Sequence, residues 1–354
     1  MAQAGWTVHL VAPWRLRDEK IPAGVHLHFF PRIHSRLLRP ILIPLGLFRV
    51  LLPISRSCNI VHFHDIDILP LMSILSLWKH VVYDVHEDYP EEMLIREWVP
   101  SLLRKPFSKM LEIGQRVFSR PIRNIVLTQT QLDPEFPGTR FRKILILNFA
   151  STTLLASVAD DYLERPPTVI FIGSQHKNNG SDLLLEIAER VQAVRPGVRF
   201  LSSDRFSSPE ARQNAVSEIE RRQLRNFELI ANVRPHELMK PLNRATIAIS
   251  PNLRVKQQIN GAHNKTYEFM AAGIPIVASD LPQQVAVIGG ANCGALAQPE
   301  DPDSFVRAIT RLVDDPAMAR QLGINGQTAF RERYSWESQM PRLLDLYSTI
   351  LSPS

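Results

Sequence analysis

Cysteine is nearly missing from this chain: Cys58 and Cys293 are the only two among 354 residues. They lie far apart, and neither belongs to a CxxC or Cys/His cluster. A disulfide scaffold and a structural zinc site are therefore not expected, and a reducing compartment fits. A long unbroken apolar run is also missing. The most apolar stretch, LLRPILIPLGLFRVLLPI, is interrupted by Pro40, Pro44, Arg49 and Pro53, which argues against a membrane-spanning helix. The opening residues MAQAGWTVHL have no basic n-region and no long apolar h-region, so they do not read as a secretory signal, and a cytoplasmic protein is expected. Charged residues at 21% and aromatics at 8% exclude a disordered or collagen-like chain.

Acid is missing locally. Between Arg32 and Arg56 stand five arginines (Arg32, Arg36, Arg39, Arg49, Arg56) and no Asp or Glu. Residues 1–150 hold 19 Lys+Arg and 13 Asp+Glu, the remaining 204 hold 22 and 22, and so the whole net charge of +6 lies in the first part. A second basic stretch, from Arg104 through Lys105, Lys109, Arg116 and Arg120 to Arg123, contains a single acid, Glu112. Basic residues beside apolar helix faces suit an anionic membrane surface or an anionic substrate, and they equally suit a buried helix with solvated flanks. No basic strand with interleaved aromatics accompanies the charge, so no nucleic acid partner is expected.

The length suggests two domains. Short β-branched runs at 7–12, 59–64, 80–85, 124–128 and 143–147 read as buried strands, with helices around 67–78 and 101–118. The polar, proline-containing stretch 160–167 interrupts this rhythm. It restarts with strands at 168–173, 198–203, 227–231, 246–250 and 275–279, and helices at 181–194, 209–224, 235–241 and 264–272. Three helices near 301–314, 316–333 and 335–351 close the chain. The predicted fold class is α/β, two Rossmann-like domains facing across a cleft: residues 1–160, with 335–354 returning to them, and residues 161–334.

The segment HNKTYEFMAAGIPIVASD, residues 263–280, carries the strongest chemical signal. Asn264 is predicted to cap a helix that Gly273 ends. Backbone N–H groups at a helix start favour an anion, and Lys265 adds a full positive charge there. Glu268 lies one turn further on the same face, placed to accept hydrogen bonds from a ribose diol. Thr266 belongs to the same turn. A phosphate at a helix start and a hydroxyl pair on a carboxylate describe a nucleotide-sugar site.

This segment resembles the donor-binding motif of retaining GT-B glycosyltransferases of family 4, also called group 1. NCGALAQPEDPDSFVRAITRLVDDPAMARQLGINGQTAFRERYSWE (292–337) is similar to the carboxy-terminal stretch of that family, and AQAGWTVHLVAP, VHFHDIDILPL and VVYDVHEDYPEE resemble a subgroup associated with surface polysaccharide synthesis. The resemblance implies transfer of a sugar from a nucleotide-sugar donor to a saccharide or lipid-linked acceptor, with retention and without a metal ion or other cofactor. Of the family's two motif glutamates Glu268 matches the second, while the first falls on Asn260. The family's Gly-Arg and Lys-Gly, which hold the donor diphosphate, correspond to the loop Gly173-Ser174-Gln175-His176-Lys177-Asn178-Asn179-Gly180, where Ser and Asn replace the two cations. Lys265 and Lys177 are the expected replacements. Gly173 and Gly180 permit close approach of backbone to phosphate.

In the first domain His86, Glu87 and Asp88 follow the strand HVVYDV, and His86 resembles the family histidine that contacts the donor sugar or its phosphate. Imidazole can donate to a leaving phosphate oxygen and titrates near neutrality. His64 and Asp65 end the preceding strand and are expected to support it, and His62 reads as a satisfied core histidine. A metal site is not expected, because no third ligand stands at helical or loop spacing. His86, Lys265 and Glu268 are thus the expected catalytic residues. Donor contacts are expected from Gly173, Lys177, Asn264, Lys265, Thr266 and Glu268, with support from His64, Asp65, Glu87 and Asp88. Trp336 is expected to pack. The resemblance also implies that the first domain lacks its first, central strand, as in a chain starting at an internal methionine or in a truncated, inactive copy. A non-catalytic sugar-nucleotide-binding protein is the alternative reading.

Overall fold

The computed structural model describes residues 1–12, 21, 23–30, 33, 39–96, 99–261 and 263–352. Arg32 and Arg36 of the first basic cluster lie outside them. The chain divides into two compact units, one of Met1–Leu147 with Met340–Ser354, the other of Asn148–Gln339. The division falls at 147/148, where the sequence pattern suggests 160. The reason is apolar packing: Phe149, Ala150, Leu154, Leu155 and Val158 lie against the core of the second unit, and Tyr162 is buried in it.

The first unit contains two parallel sheets. Strands β1 (Val8–Ala12) and β2 (Val25–Phe29) pair with each other, and β3 (Ile60–Phe63), β4 (His80–Val85), β5 (Asn124–Leu127) and β6 (Arg142–Leu145) form a four-stranded sheet in sequential order. Among the described residues no ladder joins the two sheets. Val81, Val82, Tyr83, Val85, Ile125 and Val126 are at most 2% exposed, as the β-branched runs require for strands covered on both faces. The helix Arg39–Ser57 runs through the proline-containing apolar stretch, with Ile43 and Leu47 buried. No helix among the described residues is long and apolar enough to cross a membrane.

The second unit is built on one six-stranded parallel sheet: β7 (Thr168–Phe171), β8 (Arg199–Ser203), β9 (Phe227–Ile230), β10 (Ile247–Ser250), β11 (Ile276–Ser279) and β12 (Gly294–Ala297). Their spatial order is β12-β11-β10-β7-β8-β9. The order reverses between β7 and β10, so the loops after these two strands diverge to opposite faces and leave a crevice beyond their carboxyl ends. Helices Ser181–Val194 and Asn264–Ala272 leave that end of the sheet with the boundaries expected from the sequence. The second is anchored by Phe269, Met270 and Ala271, each at most 1% exposed, and ends at Gly273, whose φ of +68° suits glycine.

Candidate functional site

At the reversal point, the loop after β7 and the loop after β10 are joined by side chains. Asn179 Nδ2 donates to the Ser174 carbonyl at 2.9 Å, and Gln258 Nε2 donates to Asn179 Oδ1 at 2.9 Å. Asn252 Nδ2 donates to Gln258 Oε1 at 2.7 Å, and Ser250 Oγ to Asn252 Oδ1 at 2.6 Å. Gln284 Nε2 then donates to Ser250 Oγ at 3.2 Å, and Thr266 Oγ1 to Gln284 Oε1 at 3.0 Å. This string reaches the first turn of the helix Asn264–Ala272, whose start is thereby held beyond the carboxyl ends of β10 and β7. Gly180 sits where the two loops meet: its φ is +79°, and a Cβ there would lie 1.9 Å from the Pro251 carbonyl oxygen.

On that first turn the Lys265 ammonium lies 2.9 Å from Glu268 Oε2 and donates to Oε1 at 3.2 Å. Lys265 is 41% exposed at its side chain and Glu268 19%, so the pair is open to solvent on one side. Other expectations for this segment need correction. The helix cap is His263, not Asn264, which is the exposed first helical residue. Thr266 is 2% exposed and its hydroxyl is held by Gln284, so its side chain is framework, not a donor contact. The Gly173 N–H is bound to Ser203 Oγ at 3.0 Å, which removes it as a phosphate donor. Lys177 is exposed on the turn Lys177–Asn179. Ser250, Asn252, Gln258 and Gln284 escaped the sequence reading; only their uncharged polar character next to strand ends marks them.

In the first unit a second constellation lies at the carboxyl ends of β3 and β4. Asp84, 8% exposed, receives three imidazoles on one oxygen: His62 Nε2 at 3.1 Å, His64 Nδ1 at 3.2 Å and His86 Nε2 at 3.3 Å from Oδ2. His64 Nδ1 and His86 Nε2 are 2.9 Å apart, and His62 Nδ1 lies 2.6 Å from the Tyr347 hydroxyl. Burial alone would raise the Asp84 carboxyl, but the hydrogen bonds from the three histidines outweigh it and hold the group far below the usual range. The same contact with Asp84 raises His86, against the opposing effect of its burial. His62, His64 and Asp84 bring their ligand atoms within 4.8 Å of one another. No third ligand stands at helical or loop spacing along the chain, as expected, but Asp84 on the neighbouring strand brings a third donor atom within reach. Asp88 is a helix cap, its Oδ1 accepting from Glu91 N–H at 2.9 Å, while Asp65 and Glu87 are exposed. Trp336 opens the last helix, its N–H donating to the Ala150 carbonyl at 2.8 Å.

Residues 166–315 match the sequence profile of the family described as Glycosyl transferases group 1. The MMP α-(1→4)-mannosyltransferase of Mycolicibacterium hassiacum is 32% identical over 117 residues, covering 33% of this chain and 27% of the relative. The phosphatidyl-myo-inositol mannosyltransferase of Mycolicibacterium smegmatis is 24% identical over 209 residues, covering 58% and 50%. The chain thus matches between about a quarter and half of the length of these relatives. Among solved structures, sucrose-phosphate synthase from Thermosynechococcus elongatus superposes with a TM-score of 0.75 at 16% identity, over 100% of this chain and 91% of that one. HepE of Anabaena in complex with UDP and glucose gives 0.70 at 11% identity, over 92% and 87%. These likenesses show the fold, the α/β architecture of GT-B chains. The profile match spans residues 166–315, all within the second unit, and it is this part of the chain that resembles the group 1 glycosyltransferases.

Proposed function

We propose that the protein transfers a sugar from a nucleotide-sugar donor to a saccharide or lipid-linked acceptor, with retention of anomeric configuration. The observation that carries this reading is the Lys265–Glu268 pair on the first turn of the helix at the sheet's reversal point, inside the segment that matches the family. In this reading Glu268 accepts from the ribose hydroxyls. Lys265 then turns from Glu268 toward the diphosphate, and together with the helix start it stabilises charge on the leaving phosphate oxygen, where preorganised positive groups lower the barrier most. Lys177, exposed on the loop after β7, supplies further counter-charge. His86 contacts the donor sugar, and Asp84 and His64 fix its ring.

Peripheral attachment to an anionic membrane belongs to the same proposal. It is supported by the helix Ser101–Ser119, which exposes Leu103, Met110, Ile113 and Val117 alongside Lys105, Lys109 and Arg116. One observation favours a non-catalytic nucleotide-sugar binder instead: Asn179, which stands at one of the family's phosphate-cation positions, is tied into the polar string.

A thermal-shift panel of UDP-, GDP- and ADP-sugars on wild type and Glu268→Ala tests the binding site. One nucleotide should stabilise the wild type and lose most of that effect in the variant; equal stabilisation of both refutes the ribose assignment. Release of nucleoside diphosphate when acceptor saccharide is added separates transferase from binder.

A further inference from the structure

We infer that His62, His64 and Asp84 form a binding site for one divalent transition-metal ion of the zinc type, held within the first unit. The inference goes beyond the transferase reading and does not rest on it; an ion held there would replace the hydrogen bonds of Asp84 Oδ2 and His64 Nδ1 to His86. Three imidazole nitrogens converge on Asp84 Oδ2 at 3.1–3.3 Å, while Asp84 Oδ1 is buried without a hydrogen-bond partner. The ligand atoms of His62, His64 and Asp84 all lie within 4.8 Å of one another, near enough for one ion to sit between them. Zinc bound to imidazole nitrogen at about 2.0–2.1 Å in tetrahedral geometry sets neighbouring ligand atoms about 3.3 Å apart. The His62–Asp84 and His64–Asp84 separations of 3.1 and 3.2 Å are close to that edge.

The chemistry of the surroundings agrees. Two histidines and a carboxylate are a borderline donor set that suits zinc, and soft thiolates are not needed. Tyr347 supplies the outer partner such sites use: when His62 Nδ1–H donates to its hydroxyl oxygen, 2.6 Å away, Nε2 gives up its hydrogen bond to Asp84 and can ligate instead. His86, 2.9 Å from His64 Nδ1, stands next to the open side as a further nitrogen. The His64 side chain is 58% exposed, which gives an ion a path in. The ion would join β3 to β4 and, through Tyr347, to the last helix.

Untagged full-length protein, stripped with a chelator, is titrated with Zn²⁺ by calorimetry and with Co²⁺ by its ligand-field absorption. About one equivalent per chain is expected. His64→Ala, at an exposed side chain, should weaken binding at least tenfold, and Tyr347→Phe by about 10–100-fold. His28→Ala is the control, because His28 lies in a separate histidine cluster, 3.0 Å from His9; it should leave the affinity unchanged. Failure of wild type to take up either ion at micromolar concentration overturns the inference, as does binding unchanged by His64→Ala or lost in His28→Ala.

Discussion

Replacing Gly180 with alanine should destabilise the second unit by a predictable amount. The residue has φ of +79°, and an added Cβ would lie 1.9 Å from the Pro251 carbonyl oxygen and 2.8 Å from its carbonyl carbon. The left-handed conformation costs an L-residue about 1–2 kcal/mol, and forcing a methyl group against fixed backbone costs about 1–3 kcal/mol more. A total near 3 kcal/mol lowers Tm by roughly 6–12 °C for a unit of this size. The backbone cannot yield without separating the loop after β7 from the loop after β10, so nucleotide affinity should fall as well. Gly197→Ala is the matched comparison: no atom lies within 4 Å of its added Cβ and its φ is not in the left-handed region, so it should be neutral or slightly stabilising. Scanning calorimetry of both variants reads the difference directly. Equal Tm values for Gly180→Ala and Gly197→Ala would refute the close approach of the two loops.

Three other outcomes follow from particular side chains. Burial pushes the Glu135 carboxyl up to about 7, with Asp88 and Glu112 adding to the rise and Gln115 and Arg116 opposing it. The folded state therefore holds this proton more tightly than the unfolded chain. Stability attributable to Glu135 is greatest at acid pH and declines as pH rises from about 4.5 to about 7, by at most ~3 kcal/mol. Glu135→Gln should remove that slope in urea unfolding at about pH 5 and about pH 8, and a slope retained in full would contradict the burial argument. Lys265→Ala should leave the unfolding free energy within ~1 kcal/mol of wild type, since an ion pair open to solvent at its lysine contributes little, while weakening nucleoside-diphosphate binding about tenfold or more in calorimetry. Asp301 accepts from the N–H groups of Asp303 and Ser304 at 3.0 and 3.2 Å, and Asp301→Ala should cost about 1 kcal/mol in chemical denaturation.

Most strands were legible because parallel strands covered on both faces must be apolar runs, and TVIF, IAIS and IVAS are such runs. The strand Val25–Phe29 was not, because its histidines at alternate positions break the pattern, and Gly294–Ala297 was not, because glycine and alanine carry no β signal. The Lys265–Glu268 pair was legible because three residues of helix bring its members together, and the structure records the contact. The polar string was not, since its members come from a strand end, loops and short helices whose meeting depends on the sheet order. Asp84 left one clue, an acid inside a mostly apolar strand and two residues before His86, but its partners His62 and His64 lie on and just after another strand.

Every donor in the series from Thr266 to Ser174 faces the same way, and its last acceptor is a peptide oxygen. A peptide oxygen has no hydrogen to give, so the series cannot run backwards: Asn179 must present its NH₂ to it, and each amide behind it is oriented in turn. Six side chains from separate parts of the chain are thus aligned from one end, with their dipoles adding along the line. Asn179→Asp would put an acceptor against that peptide oxygen and break this last link, while the carboxylate would still accept from Gln258 and keep the rest of the row facing the same way.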